Sequence, residues 1–118
     1  MAHNLALGAH GEQLAADYLR AAGMEIVERN WRCRYGELDL IARDPTVTAF
    51  VEVKTRTGVG FGVPAEAVTF AKQRRIRRLA LLWLAEQDGP WVSIRFDVVS
   101  VLVPRDGQPE ITHLPGVF

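Results

Sequence analysis

Apolar residues near the start of the chain follow helical spacing. They recur every three or four positions, as expected for one face of an amphipathic helix: Leu14, Ala15, Tyr18, Leu19 and Ala22. Gly23 follows directly, and glycine commonly ends a helix because it adopts the left-handed conformation without steric cost. The pattern predicts a helix over residues 5–22.

Strand-like patterns occupy the next third of the chain. Residues 24–28 alternate between apolar and polar positions, which predicts a short strand, and residues 30–36 are expected to form a connection. Residues 37–43 and 48–55 are two further strand-like runs. Asp44, Pro45 and Thr46 lie between them and have turn chemistry, so the two runs are predicted to form a hairpin.

The second half predicts a helix and a strand. Thr69 is a plausible N-cap for a helix that continues through residue 86, and its apolar stripe is formed by Ile76, Leu79, Ala80, Trp83 and Leu84. Residues 91–103 predict a buried strand, bent or interrupted near Ser100. Residues 57–62 predict a glycine-rich mobile loop, Pro64 a short helical turn, and the segment after residue 103 a turn followed by an extended tail.

The element order is helix, three strands, helix, strand, or αβββαβ. A long helix between two strands of one sheet implies a right-handed parallel crossover. We therefore expect an α/β fold with a mixed central sheet flanked by helices. The 118 residues contain no linker-like segment, so they are expected to form a single domain over residues 1–118.

Composition narrows the function classes. The longest apolar run covers residues 79–85, far shorter than the roughly 20 residues that cross a bilayer, and no export signal is present, so a cytoplasmic protein without membrane association is expected. Cys33 is the only cysteine, and the three histidines lack the short spacings of a zinc site. Any bound metal is therefore expected to have oxygen ligands.

Charge is distributed unevenly although the formal net charge is zero. Residues 1–52 contain five basic and eight acidic side chains, residues 53–80 seven and one, and residues 81–118 two and five, which gives segments of −3, +6 and −3. A basic middle segment is typical of contact with a polyanion. A solvated helix face neutralised by nearby acids explains the same distribution equally well.

Three charged residues interrupt the predicted hairpin and suggest its chemistry. Glu52 and Lys54 share one face of their strand, about 6 to 7 Å apart, because strand side chains alternate. Asp39 interrupts the neighbouring apolar strand in the same way. Two carboxylates held together repel each other, and a hard divalent cation relieves that repulsion. Surface ion pairs are the competing interpretation of such residues.

The spacing of Asp39, Glu52 and Lys54 resembles the motif of the PD-(D/E)XK nucleases. Several further segments occur in the order found in the bacterial YraN-like family, which is related to archaeal Holliday-junction resolvases: GE at 11–12, NWR at 30–32, GELDLI at 36–41, FVEVKTR at 50–56, Lys72 and RFDVV at 95–99. Leu38 stands where the superfamily motif often has proline. The resemblance covers nearly the whole chain and implies a restriction-endonuclease-like core.

The resemblance also implies an activity and a site. Asp39 and Glu52 would bind Mg²⁺ or Mn²⁺ together with the carbonyl of Val53, and Glu12 would complete the site. Lys54 would orient or help to deprotonate the attacking water. The implied activity is hydrolysis of phosphodiesters in duplex or branched DNA, and the link with junction resolvases suggests a homodimer. The alternatives are a non-catalytic DNA-binding or complex-forming module, or a nuclease that acts on RNA or nucleotides.

Basic and aromatic residues outside this set are candidate contacts with nucleic acid. Four candidates follow the motif: Arg56, Lys72, Gln73 and Arg75. The helix carries three further arginines, at positions 74, 77 and 78, whose competing interpretation is a solvated face. Aromatic core packing is the favoured role of Trp31 and Tyr35. For Glu37, a structural salt bridge or turn contact is an interpretation at least as good as metal ligation. Asp97 is expected to be a structural partner of Arg95.

Overall fold

The computed structural model of the protein describes residues 2–57, 68–89 and 93–118. Its secondary-structure elements, in chain order, are α1 (Ala2–Ala21), β1 (Glu25–Cys33), β2 (Gly36–Arg43), β3 (Thr48–Arg56), α2 (Phe70–Ala85), β4 (Ile94–Leu102) and β5 (Glu110–Leu114). Both predicted helices and the predicted hairpin are present. Thr69 caps α2 by accepting a hydrogen bond from the backbone N–H of Lys72, and Gly23 follows α1 with φ of 95°.

The five strands form one mixed sheet in the order β1-β2-β3-β4-β5. Strands β1, β2 and β3 are antiparallel neighbours, β3 and β4 are parallel, and β5 runs antiparallel to β4. The α/β class and the parallel crossover predicted from the sequence are therefore confirmed. The crossover contains α2, because this helix lies between the two parallel strands in the chain.

Two segments differ from their predicted structure. The connection expected over residues 30–36 is largely strand, because β1 continues to Cys33 and pairs with β2 as far as Gly36. The expected extended tail contains β5, which covers the outer edge of β4. The prediction of a connection was wrong, whereas the extended tail is confirmed and also gains a partner strand that the local sequence does not indicate. A register shift between Ile26 and Glu28 accommodates the longer β1.

The strand predicted over residues 91–103 was expected to bend near Ser100. Instead, β4 runs without interruption because Ser100 is paired on both sides, with Lys54 of β3 and Thr112 of β5. Residues 90–92 lie outside the described residues, as do Pro64 and all of the predicted glycine-rich loop except Thr57.

The helices cover opposite faces of the sheet. Ala15, Ala16 and Leu19 of α1 pack in one hydrophobic cluster with Leu40, Val51 and Val99. The α2 stripe forms the other cluster, in which Ile76, Leu79, Ala80 and Trp83 pack with Ile41 and Phe50. Each face of the sheet is thus covered by one helix. No helix in residues 2–57, 68–89 and 93–118 is long and apolar enough to cross a membrane.

Helix α1 approaches β3 closely at Gly11. A Cβ atom at this position would lie 1.9 Å from Oγ1 of Thr55, so the observed approach requires glycine. The next residue, Glu12, is therefore held beside the end of β3. This approach explains how an acidic side chain on the first helix comes close to the charged residues of the hairpin.

Candidate active site

Strands β2 and β3 separate at Asp39. Their backbone pairing runs from Arg43 opposite Thr48 to Leu40 opposite Val51. At the next position Oδ2 of Asp39 accepts a hydrogen bond of 2.9 Å from the backbone N–H of Val53. A side chain thus satisfies a donor that a regular ladder would pair with a carbonyl. The separation places the Asp39 carboxylate between the two strands.

Glu52 lies beside this opening and contacts two lysines. Its side chain is only 8% exposed. Oε1 lies 2.5 Å from Nζ of Lys72 and 3.6 Å from Nζ of Lys54. Buried carboxylates need such partners because removing a charge from water costs several kcal/mol. Lys54 extends from the same strand as Glu52, whereas Lys72 comes from the first turn of α2, so the crossover helix contributes directly to the site.

The electrostatics of the pair are unfavourable for Asp39 in the absence of a metal. The pKa of Asp39 is raised to about 7, mainly by burial, then by the negative charge of Glu52 and to a smaller extent by Glu12. The hydrogen bond from Val53 opposes the shift. A carboxyl group whose pKa is raised by burial and by neighbouring acids is stabilised by a bound cation, as expected for a metal ligand.

The two lysines have pKa values shifted in opposite directions. Burial lowers the pKa of Lys54, and its contact with the charged Lys72 lowers it further, although Glu52 partly compensates. Burial also disfavours the charged form of Lys72, but hydrogen bonding to Glu52 outweighs it and raises the pKa of Lys72. Lys72 therefore keeps its proton more firmly, and Lys54 is the lysine better suited to give up a proton.

A cavity of about 360 Å³ lies between α1, which carries the predicted acidic residue, and the end of β3. Glu12 lines it together with Val53 and Lys54, and the remaining lining residues are Leu7, Gly8 and Thr55. The structure thus brings Glu12, Asp39, Glu52 and Lys54 to one end of the sheet. The cavity gives solvent and a small substrate group access to Lys54.

The carboxylates fit a hard divalent ion. Across residues 2–57, 68–89 and 93–118, no three side chains from His, Cys, Asp and Glu are gathered as a metal-binding group. The available set is the pair Asp39 and Glu52, with Glu12 farther away. Mg²⁺ commonly uses one or two carboxylates and keeps several waters, so two acidic ligands suffice. Coordination of a metal by Asp39, Glu52, the Val53 carbonyl and Glu12 stays a prediction.

The predicted nucleic-acid contacts have different environments. Lys72 contacts Glu52, and the side-chain amide of Gln73 donates a 3.1 Å hydrogen bond to the carbonyl of Val68, so Gln73 holds the chain ahead of α2. Arg56 ends β3. Arg75 lies exposed beside Gly36, one helical turn after Lys72. Of these four, Lys72 and Arg75 are the best placed to meet a phosphate near the carboxylates.

Structural roles are confirmed for Glu37 and Asp97. Glu37 accepts a 3.0 Å salt bridge from Arg32. Asp97 is fully buried and binds Arg95, as expected, but it also contacts His113 at 2.8 Å. No local sequence signal indicates a role for His113, because its contact with Asp97 depends on the pairing of β5 with β4. Trp31 packs in the α2-side core, whereas Tyr35 is 41% exposed and does not share that role.

The free energy of unfolding of the metal-free protein should depend on pH because Asp39 is buried unfavourably. The unfolded chain releases this proton near pH 3.8 but the folded protein holds it to about pH 7, so raising the pH through this window favours unfolding. We expect Asp39→Asn in EDTA to be more stable than the original protein by about 1 to 3 kcal/mol at pH 8, a difference that shrinks towards pH 4. Chemical denaturation across this pH range measures it.

Added Mg²⁺ provides the matched comparison. It should raise the melting temperature of the original protein at pH 8 but not that of Asp39→Asn. An advantage of the variant that stays constant from pH 4 to pH 8 would show that Asp39 does not carry the shifted proton.

Comparison with known proteins places the chain in a family. The profile described as Uncharacterised protein family UPF0102 matches residues 11–101. The UPF0102 protein of Nocardia farcinica (strain IFM 10152) is 77% identical over 113 residues, covering 96% of this chain and 89% of its own length. That of Rhodococcus opacus (strain B4) is 62% identical over all 118 residues of both chains. The chain therefore belongs to family UPF0102, in agreement with its YraN-like resemblance.

Proposed function

We propose that the protein is a divalent-metal-dependent endonuclease that hydrolyses DNA phosphodiester bonds, with branched or junction DNA as the favoured substrate. One observation carries the proposal: two close carboxylates, Asp39 and Glu52, lie at the separation of β2 and β3 with two lysine ammonium groups beside them. This arrangement matches the spacing that resembles the PD-(D/E)XK motif. The preference for branched DNA rests on the resemblance to junction resolvases alone.

Each residue of the site has a chemical task in this proposal. Asp39 and Glu52 would hold Mg²⁺ or Mn²⁺, which lowers the pKa of a bound water and neutralises charge on the phosphate. Lys54 lines the cavity, so it can orient the attacking water and stabilise the developing negative charge. Glu12 supplies a further acceptor at the cavity wall. Lys72 pairs with the same carboxylate oxygen of Glu52 that Lys54 approaches.

The ion pair between Lys72 and Glu52 has a consequence for metal binding. In the metal-free protein the ammonium group compensates the buried carboxylate. A divalent ion held by Glu52 would compete with this contact, and the ammonium group of Lys72 would then be available to a substrate phosphate. Lys72 thus belongs to both the carboxylate site and the phosphate-binding surface in the proposed reaction.

A cleavage assay tests the proposal. Labelled linear duplex, single-stranded, flap and four-way-junction DNA are incubated with the purified protein in Mg²⁺, Mn²⁺ or EDTA. We expect metal-dependent cutting that Asp39→Asn lowers at least about 100-fold, because a misplaced metal loses its electrostatic stabilisation of the transition state. Glu37→Gln is the matched control, since Glu37 lies on the same strand in an exposed salt bridge with Arg32.

The outcomes separate the proposed enzyme from the alternatives. Cutting in metal that survives in Glu37→Gln but is lost in Asp39→Asn supports the proposal and also excludes a contaminating nuclease. If the original protein and both variants bind DNA with equal affinity and none cuts, the non-catalytic binding module replaces the enzyme. Activity on RNA alone would reassign the substrate. The proposed homodimer is checked on the same samples by sedimentation with and without junction DNA.

A further inference from the structure

A second cleft lies between the turn that follows β1 and the exposed face of α2. Its volume is about 390 Å³, and its walls are formed by Tyr35, Ala71, Arg74, Arg75 and Arg78. The four helix positions follow one another at spacings of three, one and three residues, so they line one side of α2 along about two turns. The cleft therefore presents a row of three guanidinium groups facing one tyrosine ring.

Tyr35 organises the charged groups around it. The guanidinium carbon of Arg78 lies 4.0 Å from the centroid of the Tyr35 ring, and that of Arg34 lies 5.2 Å from it. Stacking on an aromatic face restricts the rotamers of a long side chain and leaves its N–H donors free for another partner. The ring thus reduces the entropy that Arg78 would lose on binding a ligand.

The positive charge of this cleft is not balanced locally. Within the described part of the chain, Arg34, Arg74, Arg75 and Arg78 form no salt bridge, whereas four other arginines each pair with a carboxylate: Arg20, Arg32, Arg43 and Arg95. Four neighbouring guanidinium groups repel one another, and a polyanion relieves that repulsion. Planar guanidinium groups bind phosphate oxygens through two parallel hydrogen bonds.

The cleft lies next to the carboxylate site. Arg75 follows Lys72 by one helical turn, an axial distance of about 4.5 Å. On the strand side, the Arg75 side chain passes Gly36, which lies three residues and thus about 10 Å along β2 from Asp39. Successive phosphates of one DNA strand advance about 3.4 Å along the axis, so the cleft is about three nucleotides from the proposed centre.

We propose that this cleft binds backbone phosphates of a nucleic acid. A phosphodiester a few nucleotides along the same strand then lies at Asp39 and Glu52. The location of the reacting bond in this inference rests on the proposed function. An extended nucleic acid fits better than a compact anion, because the arginines form a row that leads towards Lys72. Phosphate contacts of this kind give affinity without reading sequence.

Binding measured against salt concentration tests the cleft independently of catalysis. Fluorescence anisotropy is recorded in EDTA with labelled (dT)20 and with a labelled 20-base-pair duplex, for the original protein and for the double variant Arg75→Gln/Arg78→Gln. Loss of two phosphate contacts should flatten the slope of log affinity against log salt by about 1.4 for the single strand or about 1.8 for the duplex. The probe that shows the change identifies which form of DNA occupies the cleft.

Arg77→Gln is the matched control. Arg77 belongs to the same run of basic residues in α2. Its guanidinium group, however, lies over the Phe96 ring, 5.7 Å from the centroid and outside the cleft. Its substitution removes the same type of charge from the same helix and should leave the slope unchanged. Thermal melts verify that all variants fold, which is expected because Arg75, Arg77 and Arg78 are exposed.

Two results would overturn the inference. The first is that Arg75→Gln/Arg78→Gln has the same salt slope as the original protein with both probes. The second is that Arg77→Gln flattens the slope as much as the double variant does, which would show a general effect of charge. EDTA prevents metal-dependent cutting in every arm. The two proposals can therefore fail independently. The predicted slopes can appear without cleavage in the nuclease assay, and cleavage can occur without the predicted slopes.

Discussion

Lys54→Met is expected to slow metal-dependent DNA cleavage by about 10²- to 10⁴-fold, the range lost when a positioned acid, base or electrostatic group is removed. Lys54 lines the cavity together with Val53, and its ammonium group lies 3.6 Å from Glu52. Methionine has a similar length and fits the same space, so the fold should be preserved. The measurement is the single-turnover rate at saturating DNA and Mg²⁺.

Arg43→Gln is the control for this prediction. Arg43 is exposed at the opposite end of the same hairpin, where it pairs with Glu25, and its substitution removes one positive charge. Its cleavage rate should stay within about twofold of the original protein, because an exposed ion pair contributes little. If Lys54→Met cleaves as fast as Arg43→Gln, Lys54 has no role in the reaction.

Asp97→Ala is expected to lower the free energy of unfolding by about 3 to 5 kcal/mol, the usual cost of leaving a buried charge without its partner. Arg95 donates two hydrogen bonds to the Asp97 carboxylate, at 2.8 and 3.0 Å, and the backbone N–H of Gly116 donates a third at 3.0 Å. His113 makes the fourth contact. The substitution would therefore remove one of the hydrogen bonds that hold the tail after β5 and leave several donors unpaired in a buried pocket.

The stability from Asp97 should depend on pH. Although burial raises the pKa of Asp97, the hydrogen bonds from Arg95, Gly116 and His113 outweigh it and lower the pKa below 3.8. A carboxyl group with a lowered folded pKa stabilises the protein above its unfolded pKa, and this contribution is lost as the pH falls through the folded pKa. The deficit of Asp97→Ala should therefore be constant above pH 5 and shrink below pH 4.

Urea denaturation at several pH values measures this deficit. Asp106→Ala is the comparison, since Asp106 is exposed in the turn between β4 and β5, and it should change the free energy of unfolding by less than about 0.5 kcal/mol. Equal stability of the two variants at pH 7 would show that the contacts around Asp97 contribute nothing net.

The hairpin was predictable from the sequence because its information is local. Alternation, turn residues and helix caps act over a few positions, and they identified β2, β3 and α2. The continuation of β1 beyond residue 28 and the pairing of β5 depend on partners distant in the chain, so neither was predicted. Asn30 has φ of 51°, and the local sequence pattern does not indicate that the strand continues through this residue.

The sequence predicted which residues form the candidate site better than it predicted the contacts between them. Asp39, Glu52 and Lys54 were identified by spacing and by resemblance, and alternation correctly placed Glu52 and Lys54 close together. The contact of Lys72 with Glu52 depends on how the crossover helix packs, which periodicity does not determine. The same applies to the close approach of Gly11 to Thr55 that positions Glu12.

The separation of the two strands at Asp39 also bears on how the site is assembled. Asp39 and Val53 are joined by a hydrogen bond across only 14 positions of chain. Both residues belong to the hairpin of β2 and β3, so this contact is internal to one supersecondary unit. The contact between Glu52 and Lys72 also requires the crossover helix α2 to pack on the sheet. A substitution that loosens α2 should therefore disturb the lysine contact of Glu52 before it disturbs the position of Asp39.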